Sequence, residues 1–351
     1  MSSSTISRFS SHHASSVTSG DIELRTPSPQ PSVFSVTSSV REAAYRQEYG
    51  RNLNNYSEVY SLPADDEELE RLNHQHEMFK IAMGKYPPGL PEVLAEVPGV
   101  GEQKSAVDLG CGSGSWILDV AQDFPHCNCV AIDLVPMQNT NMPPNCRSEI
   151  DDINLGLQHY YEQFNVVHAR LICTGIKDYA GLVDHIAQTL RPDGLVALTE
   201  YNFIIHDAHR RPIEIPDNDP MIRGPWLPRW MKLAQWAIRR KGGEVDAADH
   251  LYRWVSEHGA FDRVVKRQFW FQASPWNRRN DAEAIQQNEL ATTMREDMLA
   301  FLRSGRPLLL GAGISEEIVN RVENEARIEL IEAKTPLLIL IENVYGRRRQ
   351  Y

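Results

Sequence analysis

The chain has 351 residues, of which 42% are hydrophobic, and its formal net charge at pH 7 is -11. This length suffices for one large core or two small ones, and the acidic charge argues against direct nucleic-acid binding, which needs clustered Lys and Arg. The N-terminus lacks the apolar core of a signal peptide, and no run approaches the ~18 apolar residues of a membrane span. The five cysteines are an odd number, which is typical of free thiols. We therefore expect an intracellular protein, cytoplasmic or nuclear.

Residues 1–40 have the composition of a disordered tail. Fourteen of these forty residues are Ser, and Pro27, Pro29 and Pro31 lie close together. Such a segment cannot bury enough apolar surface to offset the entropy of ordering it. We therefore predict a disordered Ser/Pro-rich tail over 1–40 and a folded domain over 41–351.

The folded part begins with an N-terminal helical segment over 41–100. Leu69, Leu72 and Phe79 recur at helical spacing, and this pattern predicts a helix from Asp65 to Gly84. Acidic residues fill its first turn, where the helix dipole favours negative charge, and the glycine is a typical stop signal.

Strands and helices alternate over residues 104–201. Five apolar runs are predicted strands: 104–109, 128–134, 146–151, 164–169 and 194–201. Helical patterns are found between them at 114–123 and 178–190. This alternation predicts an α/β fold with a doubly wound, mostly parallel sheet that helices cover on both faces.

The remaining residues are predicted to form a helical cap and two further strands. Helical patterns are found at 226–240, 246–258, 281–303 and 315–332, and strand patterns at 261–271 and 336–345. We predict that 202–335 are cap insertions around strand six, and that 336–346 form the final strand. Six tryptophans of this region are candidates for an apolar pocket, although aromatic residues at helical spacing belong more often to a core: Trp226, Trp230, Trp236, Trp254, Trp270 and Trp276.

The stretch "AVDLGCGSGSW" (106–116) joins the first of these strands to the first helix. Glycine at every second position marks a tight turn or a close approach of a ligand to the backbone. The spacing differs from the G-x-G-x-x-G of dinucleotide binders, whose third glycine is replaced here by Ser115. No P-loop Lys follows either. An NAD-dependent oxidoreductase is therefore the disfavoured alternative.

Acidic residues end three successive strands. Asp108 precedes the glycines, Asp133 ends the second strand, and Asp152 follows the third. A carboxylate at Asp108 attracts an ammonium group. One at Asp133 can accept hydrogen bonds from both hydroxyls of a ribose, and one at Asp152 can accept a hydrogen bond from an adenine amino group. S-adenosylmethionine carries all these groups and no phosphate.

The motifs of residues 104–201 together resemble those of the class I S-adenosylmethionine-dependent methyltransferases. "VDLGCGSG", "VAIDL", "EIDDI", "FNVVHAR" and "LRPDGLVALTE" match the five family motifs in order. The resemblance implies a Rossmann-like sheet of seven strands and the cofactor S-adenosyl-L-methionine. It also implies these cofactor-binding residues: Asp108, Gly110, Cys111, Gly112, Gly114, Asp133, Leu134, Asp152, Ile153 and His168.

A narrower resemblance is to the fungal LaeA-like methyltransferases, known as regulators of secondary metabolism. It rests on "YSLPADDEELERLNHQHEMFK" (60–80) followed by the motif set and "VVHARLI". Some relatives of these proteins act on small metabolites, and our leading hypothesis is a methyltransferase that acts on a small-molecule acceptor of secondary metabolism. The alternative is a nuclear regulator that works through protein partners or a protein acceptor. The arginines 347–349 are then either a solvated tail or part of a nuclear address.

Methyl transfer from a sulfonium needs mainly orientation and a dry pocket, but a base helps when the acceptor is a hydroxyl. The candidate catalytic residues are His168, Glu200 and His206, with Arg170 beside the acceptor. Weaker candidates are His209 and, on the N-terminal helix, His74 and His76, for which solvation is the simpler reading. No metal is predicted, because Cys127, Cys129 and Cys146 do not have the spacing of a zinc site.

Overall fold

The computed structural model of the protein describes residues 37–96, 103–139, 141–216 and 223–350. Most of the predicted tail lies outside these residues. Helix α1 (Ser38–Ala43) nevertheless begins inside the predicted tail, where the Thr37 hydroxyl accepts a hydrogen bond from the Val40 N–H. This N-cap satisfies a backbone donor that the first helical turn leaves free. This helix thus starts a few residues before the predicted boundary at 41.

The N-terminal segment contains a hairpin that the sequence patterns did not predict. Strands β1 (Tyr45–Glu48) and β2 (Arg51–Asn54) pair antiparallel. Tyr49 and Gly50 between them both have positive φ, as a two-residue hairpin turn requires. The predicted helix is confirmed as α2 (Asp66–Met83), and a short α3 (Leu90–Leu94) follows.

Seven strands form the central sheet and confirm the predicted fold class. They are β3 (Ser105–Leu109), β4 (Asn128–Asp133), β5 (Cys146–Ile150), β6 (Phe164–Arg170), β7 (Leu190–His206), β8 (Phe261–Gln272) and β9 (Leu338–Arg348). Their order is β5-β4-β3-β6-β7-β9-β8. The strands β3 to β7 run parallel, whereas β9 runs antiparallel to both of its neighbours. The chain reverses its direction of winding between β3 and β6, which is where such sheets bind ligands.

Helices cover both faces of this sheet. The remaining helices are α4 (Ser115–Asp123), α5 (Tyr179–Thr189), α6 (Trp226–Lys241), α7 (Ala247–Glu257), α8 (Ala282–Ser304), α9 (Arg306–Gly311) and α10 (Glu316–Glu332). One apolar cluster lies under α3 and α4, and a larger one lies under α5, α6 and α7. Of the predicted cap helices, α8 packs against α2, whereas α7 packs on the strands β7 to β9. The predicted cap therefore also supplies a covering helix of the sheet.

Two predictions about strands need correction. Strand β7 is longer than the predicted 194–201, because its residues stay mostly buried as far as His206 and β9 pairs with it up to that residue, with a shift of register after Asn202. The C-terminal arginines are not a solvated tail. Arg347 lies 2.7 Å from the Asp193 carboxylate, Arg348 donates to the Leu190 carbonyl, and the Arg349 Nε donates to the Phe261 carbonyl at 2.9 Å. These contacts fix the end of the sheet.

Candidate active site

A cleft of about 1180 Å³ opens at the carboxyl ends of the parallel strands. One part of its wall consists of the loops after β3, β4 and β5, and we call this part the loop half (residues 108–154). The opposite part comes from α2, the end of β7 and α8. We call it the helix half, and it lines the cleft with Arg71, Leu72, Gln75, Tyr201, Phe203 and Phe301.

The cleft brings together most of the residues that the sequence predicted for the site. These are Asp108, Gly110, Cys111, Gly112, Asp133, Leu134, Asp152, Ile153, His168, Arg170 and Glu200. Gly114 and His206 do not line it. The loops that carry these residues follow neighbouring parallel strands, so their side chains converge on one edge of the sheet.

The glycine turn has a conformation that other residues rarely adopt. Gly110, Gly112 and Gly114 have φ values of +67°, +55° and +78°. A Cβ atom on Gly110 would lie 2.6 Å from the Ile172 Cγ2, and one on Gly114 would lie 2.1 Å from the Met137 Sδ. A Cβ atom on Gly112 would lie 2.9 Å from the Leu72 Cδ1. The three glycines thus permit close packing around the turn, and Gly110 and Gly112 also line the cleft.

Asp133 fixes the turn and also faces the cleft. Its Oδ2 accepts a hydrogen bond from the Gly112 N–H at 2.8 Å, and its Oδ1 accepts one from the Val135 N–H at 3.3 Å. An ionised carboxylate has about four acceptor positions, so two remain for a ligand. Burial raises the pKa of Asp133 to about 6, against the opposing effect of these backbone donors.

Asp152 shapes the wall at the end of β5. Its Oδ1 accepts from the Asn154 N–H at 3.0 Å and from the Asn154 Nδ2 at 2.8 Å. This bond caps the short 3-10 turn Ile153–Leu155. Asp152 and Ile153 are thereby held side by side at the far end of the loop half.

Asp108 and His168 form a buried pair at the point where the winding reverses. They are direct neighbours across β3 and β6, and the His168 Nδ1 lies 2.7 Å from the Asp108 Oδ1. The imidazole is stacked on Trp116, with 3.8 Å between ring centroids and 9° between planes. Burial lowers the pKa of His168, although Asp108 opposes this effect. A neutral ring whose Nδ1–H donates to the carboxylate leaves its Nε2 as an acceptor.

Arg170 lies beside this pair. Its guanidinium lies 5.2 Å from the centre of the Phe79 ring, and its Nη2 lies 3.2 Å from the His76 Nδ1. The other nitrogen of His76 lies 3.0 Å from the Asp119 carboxylate. His76 is buried, which corrects the expectation that it is solvated. Burial lowers the pKa of both Arg170 and His76.

Glu200 is a buried carboxylate under the cleft. Its Oε1 accepts from the Ile172 N–H at 3.0 Å, from the Cys173 N–H at 3.1 Å and from the Tyr179 hydroxyl at 2.9 Å. Its Oε2 has no hydrogen-bond partner within the described residues. Burial raises the pKa of Glu200 to about 7. The residue both anchors the loop after β6 and keeps one oxygen free.

Other candidates lie away from the cleft. His206 is packed edge-on against Trp270 with 5.0 Å between ring centroids, because β7 carries it past the cleft. His74 and His209 are exposed. None of the six cap-region tryptophans lines the cleft, and Trp230 is fully buried in the core. The suggestion of a tryptophan-lined acceptor pocket is therefore wrong.

The helix half depends on a buried network that the sequence analysis did not find. Arg71 binds Glu68 at 2.6 Å on its own helix and Asp297 of α8 at 2.8 Å. Gln75 donates to Asp297 at 3.1 Å, and the Tyr201 hydroxyl donates to the same carboxylate at 3.1 Å. The four-residue spacing of Arg71 and Gln75 places them on one face of α2. This spacing was the only feature of the sequence that pointed to the network.

Within the described part of the chain, no three His, Cys, Asp or Glu side chains are grouped as a metal site. Cys127, Cys129 and Cys146 are buried in the smaller apolar cluster, and the His126 Nε2 lies 2.7 Å from the Leu94 carbonyl oxygen. No helix among the same residues combines the length and the apolar character needed to cross a membrane.

Comparisons with known proteins agree with this architecture. A family model described as a methyltransferase domain matches residues 74–261. The chain is 43% identical over 335 residues to the secondary metabolism regulator laeA of Coprinopsis cinerea, covering 95% of this chain and 80% of that protein. It is 28% identical to the methyltransferase pytC of Aspergillus terreus, covering 73% and 74%. It is also 28% identical to the protein-methionine methyltransferase laeA of Emericella nidulans, covering 51% and 46%.

Proposed function

The chain belongs to the S-adenosylmethionine-dependent methyltransferases, among the LaeA-like proteins, and from this premise we propose that it methylates a small-molecule acceptor of secondary metabolism. Its cofactor supplies a methyl group activated on a sulfonium. The observation that carries the choice of acceptor is the helix half, whose buried charged network lines the cleft together with the loops. A wall with several fixed polar groups suits the orientation of a small acceptor.

The loop half would hold the cofactor. The methionine end would lie along Gly110 and Gly112, which line the cleft, and Asp108 would supply a carboxylate for the ammonium group. Asp133 keeps two acceptor positions for the ribose hydroxyls. Leu134, Asp152 and Ile153 would then enclose the adenine. These assignments use only groups that already line the cleft.

The acceptor would lie between His168 and the helix half. Arg71, Gln75 and Tyr201 offer polar groups for orientation, and Phe301 excludes water. His168 offers a neutral Nε2 as the base for a hydroxyl acceptor, because Asp108 holds its other nitrogen. Glu200 is the second candidate base, with one free oxygen and a pKa near neutrality.

A second candidate function is a nuclear regulator with a protein acceptor. It is favoured by the 43% identity to a protein named as a secondary metabolism regulator, and by a relative named as a protein-methionine methyltransferase. Regulatory protein partners belong to this alternative. A slender side chain presented by a partner would enter the same cleft.

Calorimetry tests the cofactor assignment. We expect heat on titration with S-adenosylmethionine and none with NAD. Asp133→Ala should weaken S-adenosylmethionine binding at least 30-fold, whereas Asp262→Ala on β8, whose half-buried side chain lies outside the cleft, should leave it unchanged. Equal affinity of wild type and Asp133→Ala would contradict the placement of the ribose.

Two measurements separate the acceptor classes. Labelled S-adenosylmethionine is incubated with the enzyme and a cell extract, which is then fractionated by size. Label in the small-molecule fraction supports the proposal, and label confined to a protein band supports the second candidate. Deletion of the gene gives an independent readout: one missing methylated metabolite indicates a pathway enzyme, and many silenced pathways indicate a regulator.

A further inference from the structure

A second cavity of about 450 Å³ lies on the other side of His168 and Arg170 from the cleft. These two side chains line both spaces. The second cavity is roofed by the C-terminal half of α2 and the turn after it, with Trp116 at one side. It is therefore next to the place where the methyl group would be transferred, and separate from the glycine turn.

The floor of this cavity is one polar row across four strands. Arg170 of β6 is the direct neighbour of Thr199 on β7, which in turn is the neighbour of Asn343 on β9. Asn343 is the neighbour of Arg267 on β8. Directly paired residues point to the same face of a sheet, and the bond of 2.8 Å from the Asn343 Nδ2 to the Thr199 Oγ1 agrees with this. Two guanidinium groups thus stand at the two ends of a row of neutral polar groups.

The two arginines lack the partners that such side chains normally have. Neither Arg170 nor Arg267 forms an ion pair with a carboxylate of the described chain. Their polar contacts are with neutral groups: Arg170 lies 3.2 Å from the His76 Nδ1, and Arg267 donates to the Met83 carbonyl at 3.5 Å. Each also lies over an aromatic ring, Arg170 at 5.2 Å from the Phe79 centroid and Arg267 at 4.7 Å from the Phe269 centroid. Rings fix the direction of a guanidinium but do not neutralise its charge.

The two lysines of the cavity are different. Lys80 lies 3.1 Å from the Asp119 carboxylate, and Lys85 lies 2.6 Å from that of Asp123. Their charges are compensated within the protein. The positive charges of the cavity that have no ion-pair partner among the described residues are therefore those of the two arginines, at the ends of the polar row.

We propose that the second cavity binds an oxyanion of the methyl acceptor, a carboxylate or a phosphate group, through Arg267 and Arg170. The guanidinium fork matches the geometry of both oxyanions, and a partly buried arginine gains most from such a partner. Since Arg170 lines both spaces, the oxyanion end of the acceptor would lie at Arg267 and Arg170, and the rest of the molecule would reach past Arg170 into the cleft, between His168 and the helix half. This inference rests on the proposed function, because it assigns one end of the same acceptor.

The test uses the full chain saturated with S-adenosylhomocysteine, so that the cofactor site is filled. Benzoate, phenyl phosphate and the uncharged benzamide are titrated by calorimetry. We expect benzoate or phenyl phosphate to bind at least 10-fold more tightly than benzamide, and the preferred anion identifies the carboxylate or the phosphate as the natural group. Arg267→Gln should weaken anion binding at least 10-fold. Arg267→Lys should weaken it less, because the charge is kept.

The control is Arg263→Gln on the same strand. Arg263 is 60% exposed and paired with Asp193, outside the cavity, so its loss should leave anion binding unchanged. In every variant the dissociation constant of S-adenosylhomocysteine should stay within twofold, because Arg267 does not line the cleft. Anion binding that survives Arg267→Gln, or benzamide binding as tight as benzoate, would overturn the subsite alone. Failure of the wild type to bind S-adenosylhomocysteine would instead overturn the proposed function.

Discussion

The loop half and the helix half of the cleft differ in how far apart along the chain their residues lie. The loop half is drawn from residues 108–154, and its defining bond, from the Gly112 N–H to Asp133, spans 21 positions. The helix half joins α2 to β7 and α8, and its Arg71–Asp297 bond spans 226 positions. The first depends on backbone conformation, and the second depends on buried charges brought together by the whole fold.

This difference has consequences for how each half fails. A change in the loop half alters the local shape that a ligand meets, while the distant packing remains. A change in the helix half leaves a buried charge without its partner, and the cost falls on the stability of the whole chain. Ligand affinity and folding stability are therefore separable readouts of the two halves.

The largest effect should come from Arg71→Met in the helix half. It leaves Glu68 and Asp297 buried with fewer donors, so we expect the free energy of unfolding to fall by about 3–5 kcal/mol. Arg303→Met is the matched control, because Arg303 is 54% exposed and pairs with the exposed Glu67. It should cost less than about 1 kcal/mol. Chemical denaturation measures both, and equal losses would remove the distinction between the halves.

Glu200→Gln should change how folding stability depends on pH, because it removes a buried carboxylate that titrates. The folded protein holds this proton up to about pH 7, whereas the unfolded chain releases it near the ordinary value of about 4.5. Between these values the folded state binds more protons, so wild-type stability falls as pH rises. Relative to wild type, Glu200→Gln should gain up to about 3 kcal/mol between pH 5 and pH 8. Denaturation at both pH values checks this, with the exposed Glu257→Gln showing no such change.

In the loop half, Gly110→Ala should act on ligand affinity. Its methyl group would meet the Ile172 Cγ2 at 2.6 Å and shift the turn, so we expect S-adenosylmethionine binding to weaken at least 100-fold. Gly313→Ala is the control, since it has a φ of +93° with nothing near its would-be Cβ. It carries a similar backbone strain without the clash, so its affinity should match that of wild type. Calorimetry measures the affinity of both variants for S-adenosylmethionine. If backbone strain alone were responsible, the two variants would lose the same affinity.

The smallest effect is expected for Tyr201→Phe. It removes one donor to Asp297 and one acceptor for Gln75, while Arg71 still pairs with that carboxylate. Stability should fall by about 1 kcal/mol, and S-adenosylmethionine affinity should stay within twofold. The exposed Tyr252→Phe should change neither quantity. A large loss of cofactor affinity in Tyr201→Phe would show that the two halves are coupled.

Local sequence patterns predicted the sheet and the loop half because both depend on short-range features. Alternating apolar runs predicted each parallel strand, and the glycines with Asp108, Asp133 and Asp152 marked the loops that follow them. The hairpin at 45–54 was not predicted, because its strands are short and its turn begins at Tyr49, a residue type that rarely has a positive φ. His206 was placed at the site because β7 was predicted to end five residues too early.

The sequence by itself determined the class of fold, the cofactor and the loops that line the cleft, since strand periodicity and the glycines of a turn are properties of neighbouring residues. Only the tertiary structure decided which side chains stand opposite those loops. Arg71 meets Asp297, and Arg170 shares a row with Arg267, because sheet register and helix packing join distant parts of the chain. The same register places Arg347 against Asp193 and Arg349 against the Phe261 carbonyl, so these arginines are held at the end of the sheet. Such pairings depend on the whole fold, and no local pattern of residues records them.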